Sequence, residues 1–184
     1  GIELSSIFEN KVGNLNYSIN GMVFYAHNVI DYQSEIPKSY PYNETTGRSY
    51  GTHMGLEAIA FYQLSDFNPD GSLKEDLPIP TFGTVQPGDL RYNDLNGDGF
   101  IDETDITKIG SPDYSSLEYS FGAQLEFKGF DFNFLFHGAA GGSVNLLNYG
   151  EFVPFVNNGN AYEIAKNAWA YYPNQGIDTR ATAT

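Results

Sequence analysis

The chain has 184 residues, and its 23 acidic side chains against 9 basic ones give a formal net charge of −14. This excess of carboxylates argues against a nucleic-acid partner, because phosphate backbones are bound mainly by lysine and arginine. The sequence has no cysteine, which excludes disulfides and thiolate chemistry. No apolar run reaches the roughly 18 residues of a membrane helix, but alternating strands of about 9–11 residues cross membranes without such a run.

The first segment predicts a β-hairpin with strands at residues 2–9 and 14–30. Apolar and polar side chains alternate along the second strand, with Leu15 and Tyr17 on one face and Asn16 on the other. This period of two is typical of a strand whose faces have different surroundings. A short polar stretch that contains glycine supplies the turn between the two strands.

The connection over residues 31–114 is long and rich in Tyr, Pro, Asn, Ser and Gly. Residues 55–64 are its most apolar part and predict one short strand. Pro78, Pro80 and Pro87 disfavour regular structure around them, because proline lacks the N–H that strands and helices use. A connection of this length is uncommon within a compact domain and is usually functional.

An acidic loop lies near the end of this connection and reads DLNGDGFIDETD from Asp94 to Asp105. Oxygen-bearing side chains recur at alternate positions, and Gly99 stands where a calcium loop turns sharply. Ca²⁺ takes about six to eight oxygen ligands, and alternate residues of a tightly wound loop point toward its centre. The pattern therefore predicts a Ca²⁺ site with six ligands: Asp94, Asn96, Asp98, the Phe100 carbonyl, Asp102 and Asp105.

The main alternative for this loop is an acidic turn without metal, because Asn, Asp and Gly are also common in ordinary turns. In that case the amides around Gly97 and Gly99 must satisfy the carboxylates. EF-hand and dockerin modules need a helix after the loop, and Gly110 and Pro112 cut such a helix short. We therefore predict a structural clip in a surface loop rather than a signalling or catalytic site.

A second predicted hairpin has strands at residues 115–128 and 130–138, joined by a tight turn at Lys128 and Gly129. Its first strand has the clearest alternation in the chain, and its second alternates phenylalanine with mostly polar residues. The rest of the chain predicts an irregular loop that contains one short helix, over residues 160–171.

The predicted order is short turn, long loop, short turn, long loop, with both short turns at one end of the strands. Outer-membrane barrels show this asymmetry, with short periplasmic turns and long extracellular loops. We therefore predict an all-β fold, a fragment of a large antiparallel transmembrane β-barrel made of two long hairpins. Its extracellular loops would be residues 31–114 and 139–184. A soluble antiparallel sheet with one buried face is the alternative.

Several motifs follow one another in a specific order and spacing. They are PGDLRYNDLNGDGFID at 87–102, IGSP at 109–112, YSFG at 119–122, FKGFD at 127–131 and FHG at 136–138. Together they resemble the C-terminal barrel region of SusC/RagA-type TonB-linked outer-membrane proteins. The resemblance covers about residues 1–172. The later segment WAYYPN, from Trp169, is a weaker match, and His137 stands where the family often has Gln.

The resemblance implies part of a plugged barrel that imports oligosaccharides or peptides across the outer membrane of a Gram-negative bacterium. It implies a SusD-type surface lipoprotein as a cap and outer-membrane lipid around the strands. It also implies TonB as the energy-supplying partner, acting through a plug domain that is not present in this chain. A transporter rather than an enzyme is expected, and the sequence has no G-x-S-x-G, zincin or P-loop motif. The alternative function is a soluble, calcium-stabilised β module for carbohydrate binding or adhesion.

Alternation also assigns side chains to the two surfaces of a barrel wall, because charged groups are costly on the lipid face. Those expected to face lipid are Leu117, Tyr119, Phe121, Leu125, Phe132 and Phe134. Those expected to face the lumen are Glu118, Gln124, Glu126 and Asn133. Aromatic residues near strand ends suit the membrane interfaces: Tyr17, Tyr25, Tyr119 and Phe127. The tyrosines of the long loop can stack on sugar, face the lipoprotein or pack within the loop: Tyr40, Tyr42, Tyr50 and Tyr62.

Overall fold

A computed structural model describes residues 1–146, 153–155 and 159–183. Regular structure in these residues consists of β-strands and short 3-10 turns, so the fold is all-β, as predicted. The strands are β1 Ile2–Val12, β2 Leu15–Tyr25, β3 His53–Leu56, β4 Ala58–Phe61, β5 Ile79–Pro80, β6 Leu90–Tyr92, β7 Phe100–Ile101, β8 Ile106–Gly110, β9 Leu117–Phe127, β10 Phe130–Ala140, β11 Tyr171–Tyr172 and β12 Ile177–Asp178. Within the described ranges, no helix has the length and apolar character needed to cross a membrane.

Contacts divide the chain into two units. One contains residues 1–35, 45–53 and 110–144, and the other contains residues 36–44, 54–109 and 145–184. The first unit holds the four long strands. The second holds most of the long connection and the described C-terminal residues.

The long strands form one antiparallel sheet in the order β1-β2-β9-β10, and each strand has 11 residues. Leu15 pairs with Val12 on one side and with Phe127 on the other, and Phe127 also pairs with Phe130. The turn between β1 and β2 and the turn between β9 and β10 therefore lie at the same end of the sheet. The long connection starts and finishes at the opposite end, where Tyr25 pairs with Leu117.

The four predicted long strands all exist, but their bounds differ from the prediction. The first continues to Val12 rather than stopping at residue 9, because the turn needs only the two residues before Leu15. The second ends at Tyr25 rather than at residue 30. The Ala26 N–H still follows the β2–β9 register and donates to the Ser116 carbonyl at 2.9 Å. Further on the backbone bonds to another segment, since the Ile30 N–H donates to the Arg48 carbonyl at 2.9 Å.

The register places every second residue of the four strands on one shared face, because directly paired residues in a sheet point the same way. One face, here the apolar face, carries Ile2, Leu4, Ser6, Phe8, Asn10, Val12, Leu15, Tyr17, Ile19, Gly21, Val23, Tyr25, Leu117, Tyr119, Phe121, Ala123, Leu125, Phe127, Phe130, Phe132, Phe134, Phe136, Gly138 and Ala140. The opposite face, here the polar face, carries all the charged residues of these strands.

The second unit pairs short strands in a small core. β4 pairs antiparallel with β6, and β5 pairs parallel with β7. The predicted strand at residues 55–64 is thus present as β4, with β3 just before it. Tyr62 and Ile101 are almost fully buried, at 1% and 0% exposure.

Two expectations for the irregular segments were wrong. Pro80 does take part in a short strand, because the hydrogen bonds to β7 come from the N–H groups of Ile79 and Thr81, on either side of the proline. In place of a helix over residues 160–171 there is a 3-10 turn, Glu163–Asn167. The backbone becomes extended at Ala168, where the carbonyl instead accepts a hydrogen bond from the Thr179 hydroxyl at 2.6 Å.

Candidate membrane-facing surface and acidic loop

The apolar face of the sheet is open over its whole length. Its exposed fractions include 72% for Ile2, 49% for Phe121 and 80% for Phe130. Leaving apolar side chains in water costs about 25 cal/mol per Å² of accessible surface. Four strands with a continuous apolar face therefore require a cover of lipid or protein.

The aromatic side chains of this face contact one another. The Phe134 ring lies 5.9 Å from Phe121 and 5.5 Å from Phe136, measured between ring centroids. Phe8 and Tyr17 make a similar contact at 6.0 Å near the turns. The aromatic side chains of this face thus form two clusters, one at Phe8 and Tyr17 and one around Phe134.

The polar face has a different composition along the same strands. Glu126 accepts hydrogen bonds from Asn16 and Gln124, each at 3.3 Å. Apolar residues also lie on this face: Ile7 and Leu135, which are 71% and 66% exposed, and Met22 and Phe24. The predicted division of side chains between two faces is confirmed by the register, and the medium that each face meets stays a prediction.

The carboxylates of the acidic loop accept hydrogen bonds from backbone amides of the same loop. Asp94 accepts hydrogen bonds from the amides of Gly97 at 2.7 Å and Gly99 at 2.9 Å. Both glycines have positive φ, +74° and +85°, which L side chains rarely adopt. Asp98 accepts a hydrogen bond from the Phe100 amide at 2.8 Å, so the carboxylates fix the path of the loop.

The end of the loop is closed around a buried carboxylate. Asp105 is 0% exposed and accepts hydrogen bonds from the amides of Leu95 at 2.8 Å and Asp102 at 3.0 Å. Asp102 in turn accepts from the hydroxyl and the amide of Thr104, both at 2.7 Å. These bonds hold the pKa of Asp102 below its usual range, the Thr104 hydroxyl having the largest effect.

The six predicted ligands therefore lie in one compact turn, and the carboxylates of Asp94, Asp98, Asp102 and Asp105 each accept from at least one amide. In the part of the chain that the structure describes, no group of three or more His, Cys, Asp or Glu is arranged to hold a metal ion. Calcium binding by this loop stays a prediction.

Two residues that support the loop, one inside it and one distant in sequence, were missed in the sequence. Thr104 links its two halves, because its hydroxyl also accepts a hydrogen bond from Asn96 at 2.8 Å. Asn43, which is 7% exposed, donates to the carbonyls of Thr104 at 3.0 Å and Ile106 at 2.7 Å. No local pattern links Asn43 to a loop that lies about 60 residues further along.

The loop tyrosines have different surroundings. Tyr62 is buried and makes an edge contact with Phe67, whereas Tyr50 is 74% exposed. Tyr40 and Tyr42 stack on each other with ring centroids 5.1 Å apart. Desolvation raises the pKa of the Tyr42 phenol, with smaller effects from Tyr40 and the acidic-loop carboxylates. The surroundings of Tyr62 and of the stacked Tyr40–Tyr42 pair are thus explained by packing within the long connection.

Comparison with known proteins gives a partial likeness, and no protein-family model matches the chain. The chain is 34% identical over 96 residues to TonB-dependent receptor P26 of Formosa agariphila, covering 47% of this chain and 10% of that protein. It is 32% identical over 103 residues to TonB-dependent receptor P3 of the same organism, covering 56% of this chain and 9% of that protein. About half of the chain is thus similar to TonB-dependent receptors, and this matched part spans about a tenth of the length of these relatives.

Proposed function

We propose that the chain supplies four neighbouring strands to the barrel of a TonB-dependent transporter in the outer membrane of a Gram-negative bacterium. The single observation that carries this proposal is the open apolar face, which runs in register across all four 11-residue strands. Transmembrane strands have about this length and this alternation. The partial likeness to TonB-dependent receptors supports the same assignment.

The proposed orientation follows from the sheet topology. Barrels of this class have short turns on the periplasmic side and long loops outside the cell. The two tight turns, one just before Leu15 and the other just after Phe127, would therefore face the periplasm. The long connection that begins after Tyr25 and ends before Leu117 would be extracellular.

Within this proposal, the apolar face meets lipid and the polar face meets the lumen. Tyr17 and Phe127 on the turn side, and Tyr25 and Tyr119 on the other, occupy the depths at which aromatic residues favour membrane interfaces. The carboxylates of Glu118 and Glu126 then lie away from hydrocarbon, where a charge is costly.

We assign the transporter to the SusC/RagA type on the motif order described above. Its substrates would be oligosaccharides or peptides, and its extracellular partner a SusD-type lipoprotein. TonB would act through a plug domain encoded outside these 184 residues. The role is transport rather than catalysis.

In the same proposal the acidic loop is a structural Ca²⁺ clip in an extracellular loop. Asp94, Asn96, Asp98, Asp102 and Asp105 would supply side-chain oxygens, and Phe100 its carbonyl. The ion would offset the repulsion between carboxylates that are held close together. Its all-oxygen ligand set suits the flexible coordination of calcium better than the strict octahedron of magnesium.

The competing soluble-module function is less well supported, although an acidic loop of this kind would suit it. A soluble sheet buries one face against a second layer. The described residues leave the apolar face open instead, with Phe132 57% and Phe136 66% exposed. Lipid is the cover that needs no further layer of protein.

The test places arginine on each face of one strand in the complete receptor. Phe121 and Gln124 both lie within two residues of Gly122, the middle of β9, but on opposite faces. Phe121→Arg should cost about 2–4 kcal/mol of membrane stability, because it would put a charge near the middle of the lipid face. Gln124→Arg is the matched control and should have little effect.

The readout is the amount of folded receptor in the outer membrane, with TonB-dependent substrate uptake measured in parallel. We expect Phe121→Arg to lower folded receptor strongly while Gln124→Arg assembles and imports. Equal effects of the two substitutions would contradict the membrane assignment and favour a soluble two-faced sheet.

A further inference from the structure

Two sequence motifs without a structural role in the proposed function meet in the second unit. They are the start of the motif at residues 87–102 and the segment WAYYPN, which begins at Trp169. The Trp169 ring lies so close to the backbone of Gly88 that a Cβ atom added there would stand 2.7 Å from the benzene part of the indole. A side chain at position 88 would need the space that the ring occupies, so the contact requires glycine.

The glycine belongs to a tight turn that is fixed to the small core. Pro87 and Gly88 take the two middle positions of this turn, and the Asp89 N–H donates to the Gln86 carbonyl at 3.1 Å. Gly88 has a φ of +97°, and proline followed by such a glycine is typical of a type II turn. The Gly88 N–H also donates to the carbonyl of Tyr62 at 2.8 Å, and Tyr62 is 1% exposed. Trp169 therefore packs on a preformed surface.

The segment that carries the tryptophan, residues 168–180, is braced by its own contacts and is here called the Trp169 strap. Within it β11 pairs antiparallel with β12. The Arg180 guanidinium lies 3.8 Å from the centre of the Tyr171 ring and donates two hydrogen bonds to the Asp178 carboxylate, at 2.8 and 2.7 Å. These contacts join both strands and the residue after them, so the strap can move as one body.

The residues that precede the Trp169 strap form an exposed arm. All of residues 159–167 are exposed except Ala165, which is half-buried. The hydrogen bonds that shape this arm are local: the Ala165 N–H donates to the Tyr162 carbonyl at 3.0 Å, and Lys166 donates to Glu163 at 3.2 Å. A segment with little buried surface and local bonds rearranges at low cost in free energy. The arm can therefore serve as a hinge for the strap.

Packing of the indole ring, rather than a hydrogen bond from its N–H, holds the Trp169 strap on the turn. The Trp169 Nε1 atom is buried and has no hydrogen-bond acceptor among the described residues. Burial of the ring favours closure of the strap, whereas a buried donor without an acceptor opposes it. Because these effects partly cancel, closure depends on how closely the ring fits the glycine.

We propose that the Trp169 strap closes on the turn at residues 86–89 through the Trp169–Gly88 contact and releases from it as one body, by movement of residues 159–167. The fit between ring and glycine sets the balance between the closed and the released position. In the proposed function both segments belong to extracellular loops, so the closed strap joins the second of these loops to the first. The inference rests on the proposed function for that location alone.

The test measures the position of the strap by pulsed electron–electron resonance in the complete receptor, with spin labels on cysteines that replace Leu64 and Ile177. These residues adjoin Gln63 and Asp178, which line one cavity when the strap is closed. Both replaced side chains are partly exposed, at 45% and 40%, so labels are tolerated. We expect a short distance between the labels as the main population when no further substitution is made.

Gly88→Ala should raise the released population several-fold, because the added methyl group takes space that the indole ring occupies. Trp169→Ala should do the same while leaving the turn itself intact. Gly71→Ala is the matched control: Gly71 also has a positive φ, +86°, in another turn of the same unit, but an added Cβ would meet no atom within 4 Å. That control carries similar backbone strain and should keep the short distance.

The same short distance in Gly88→Ala and Trp169→Ala would overturn the proposal, as would an equal change in Gly71→Ala. Movement as one body is checked by hydrogen exchange at Thr179, whose N–H donates to the Ala170 carbonyl within the strap at 3.0 Å. This amide should stay protected in both releasing variants, and fast exchange there would show unfolding instead of release. Failure of the membrane assignment would appear separately, as loss of the contrast between Phe121→Arg and Gln124→Arg.

Discussion

The Tyr119 ring lies directly over the backbone of Gly138, its register partner across β9 and β10. A Cβ atom added to Gly138 would stand 2.2 Å from the ring carbon that bears the phenol oxygen. Glycine therefore provides the space in which the tyrosine lies flat on the apolar face. Covering a strand glycine with an aromatic side chain also shields backbone that would otherwise be exposed.

Gly138→Ala should destabilise the sheet by about 1–3 kcal/mol, because the tyrosine ring must leave its position. Gly21→Ala is the matched control on the same face, where the nearest atom to an added Cβ is the Ser120 carbonyl oxygen at 3.7 Å. That control should be neutral or slightly stabilising, since alanine lowers the entropy of the unfolded chain. Urea unfolding of the receptor in lipid vesicles measures both changes, and equal stabilities would contradict the Tyr119–Gly138 packing.

The acidic loop should lose its protection from proteases when Asp98 is replaced by alanine. Asp98 accepts a hydrogen bond from the Phe100 amide, so its removal frees the start of β7. The barrel should persist, while binding of the lipoprotein weakens. Asp70→Ala is the control, because Asp70 makes comparable hydrogen bonds to Ser72 in another turn.

Calcium in this loop is tested separately by metal analysis and by proteolysis with and without a chelator. We expect calcium to co-purify with the wild-type receptor and chelation to expose the loop, with both effects absent in Asp98→Ala. Unchanged loop protection after chelation, with no co-purified metal, would rule out the calcium assignment. The loop would then be held by its hydrogen bonds alone, among them the amide bonds to Asp94 and Asp105.

Outside the acidic loop, the carboxylate of Glu35 holds together the two ends of the segment between residues 35 and 46. Glu35 accepts hydrogen bonds from the amides and hydroxyls of both Thr45 and Thr46. These bonds lower the pKa of Glu35 from 4.5 to about 2, the Thr46 hydroxyl having the largest effect. A lowered pKa in the folded state means that the carboxylate stabilises this closure above pH 4.5 and loses that effect as the pH falls toward 2.

Hydrogen exchange measured by mass spectrometry checks this pH dependence. After correction for intrinsic rates, the amides of Thr45 and Thr46 should exchange faster as the pH falls from about 5 to about 2.5. Glu35→Gln should exchange fast at both pH values and show little pH dependence. A wild-type segment that stays equally protected across this range would show that Glu35 does not hold the closure.

The long strands could be predicted because their alternation spans many residues. Phe121 and Gln124 fall on opposite faces from periodicity alone, and the register agrees. Strand ends were less well predicted, since they depend on which partners the backbone finds. The N–H of Ile30 donates to the carbonyl of Arg48 in the long connection, and no local pattern specifies that contact.

The acidic loop shows the same contrast between local features, which could be predicted, and long-range contacts, which could not. Its spacing identified the residues that wind into one turn, because alternating Asp and Asn side chains accept hydrogen bonds from nearby amides. Asn43 could not be found, since its contacts with Thr104 and Ile106 arise only when distant segments pack together. Pro80 was misjudged because the role of a proline in a strand depends on which side its neighbours' N–H groups face.

The central proposal, that the apolar face meets lipid, is best tested by spin-label accessibility along β9. Single cysteines are introduced one at a time from Glu118 to Glu126 in the complete receptor in bilayers, a stretch that has no native cysteine. Labels at Tyr119, Phe121 and Leu125 should be accessible to oxygen, which concentrates in lipid. Labels at Ser120 and Gln124 should not show this preference. An accessibility that fails to alternate, or labels at Phe121 that are as open to a water-soluble nickel chelate as those at Gln124, would contradict the proposal.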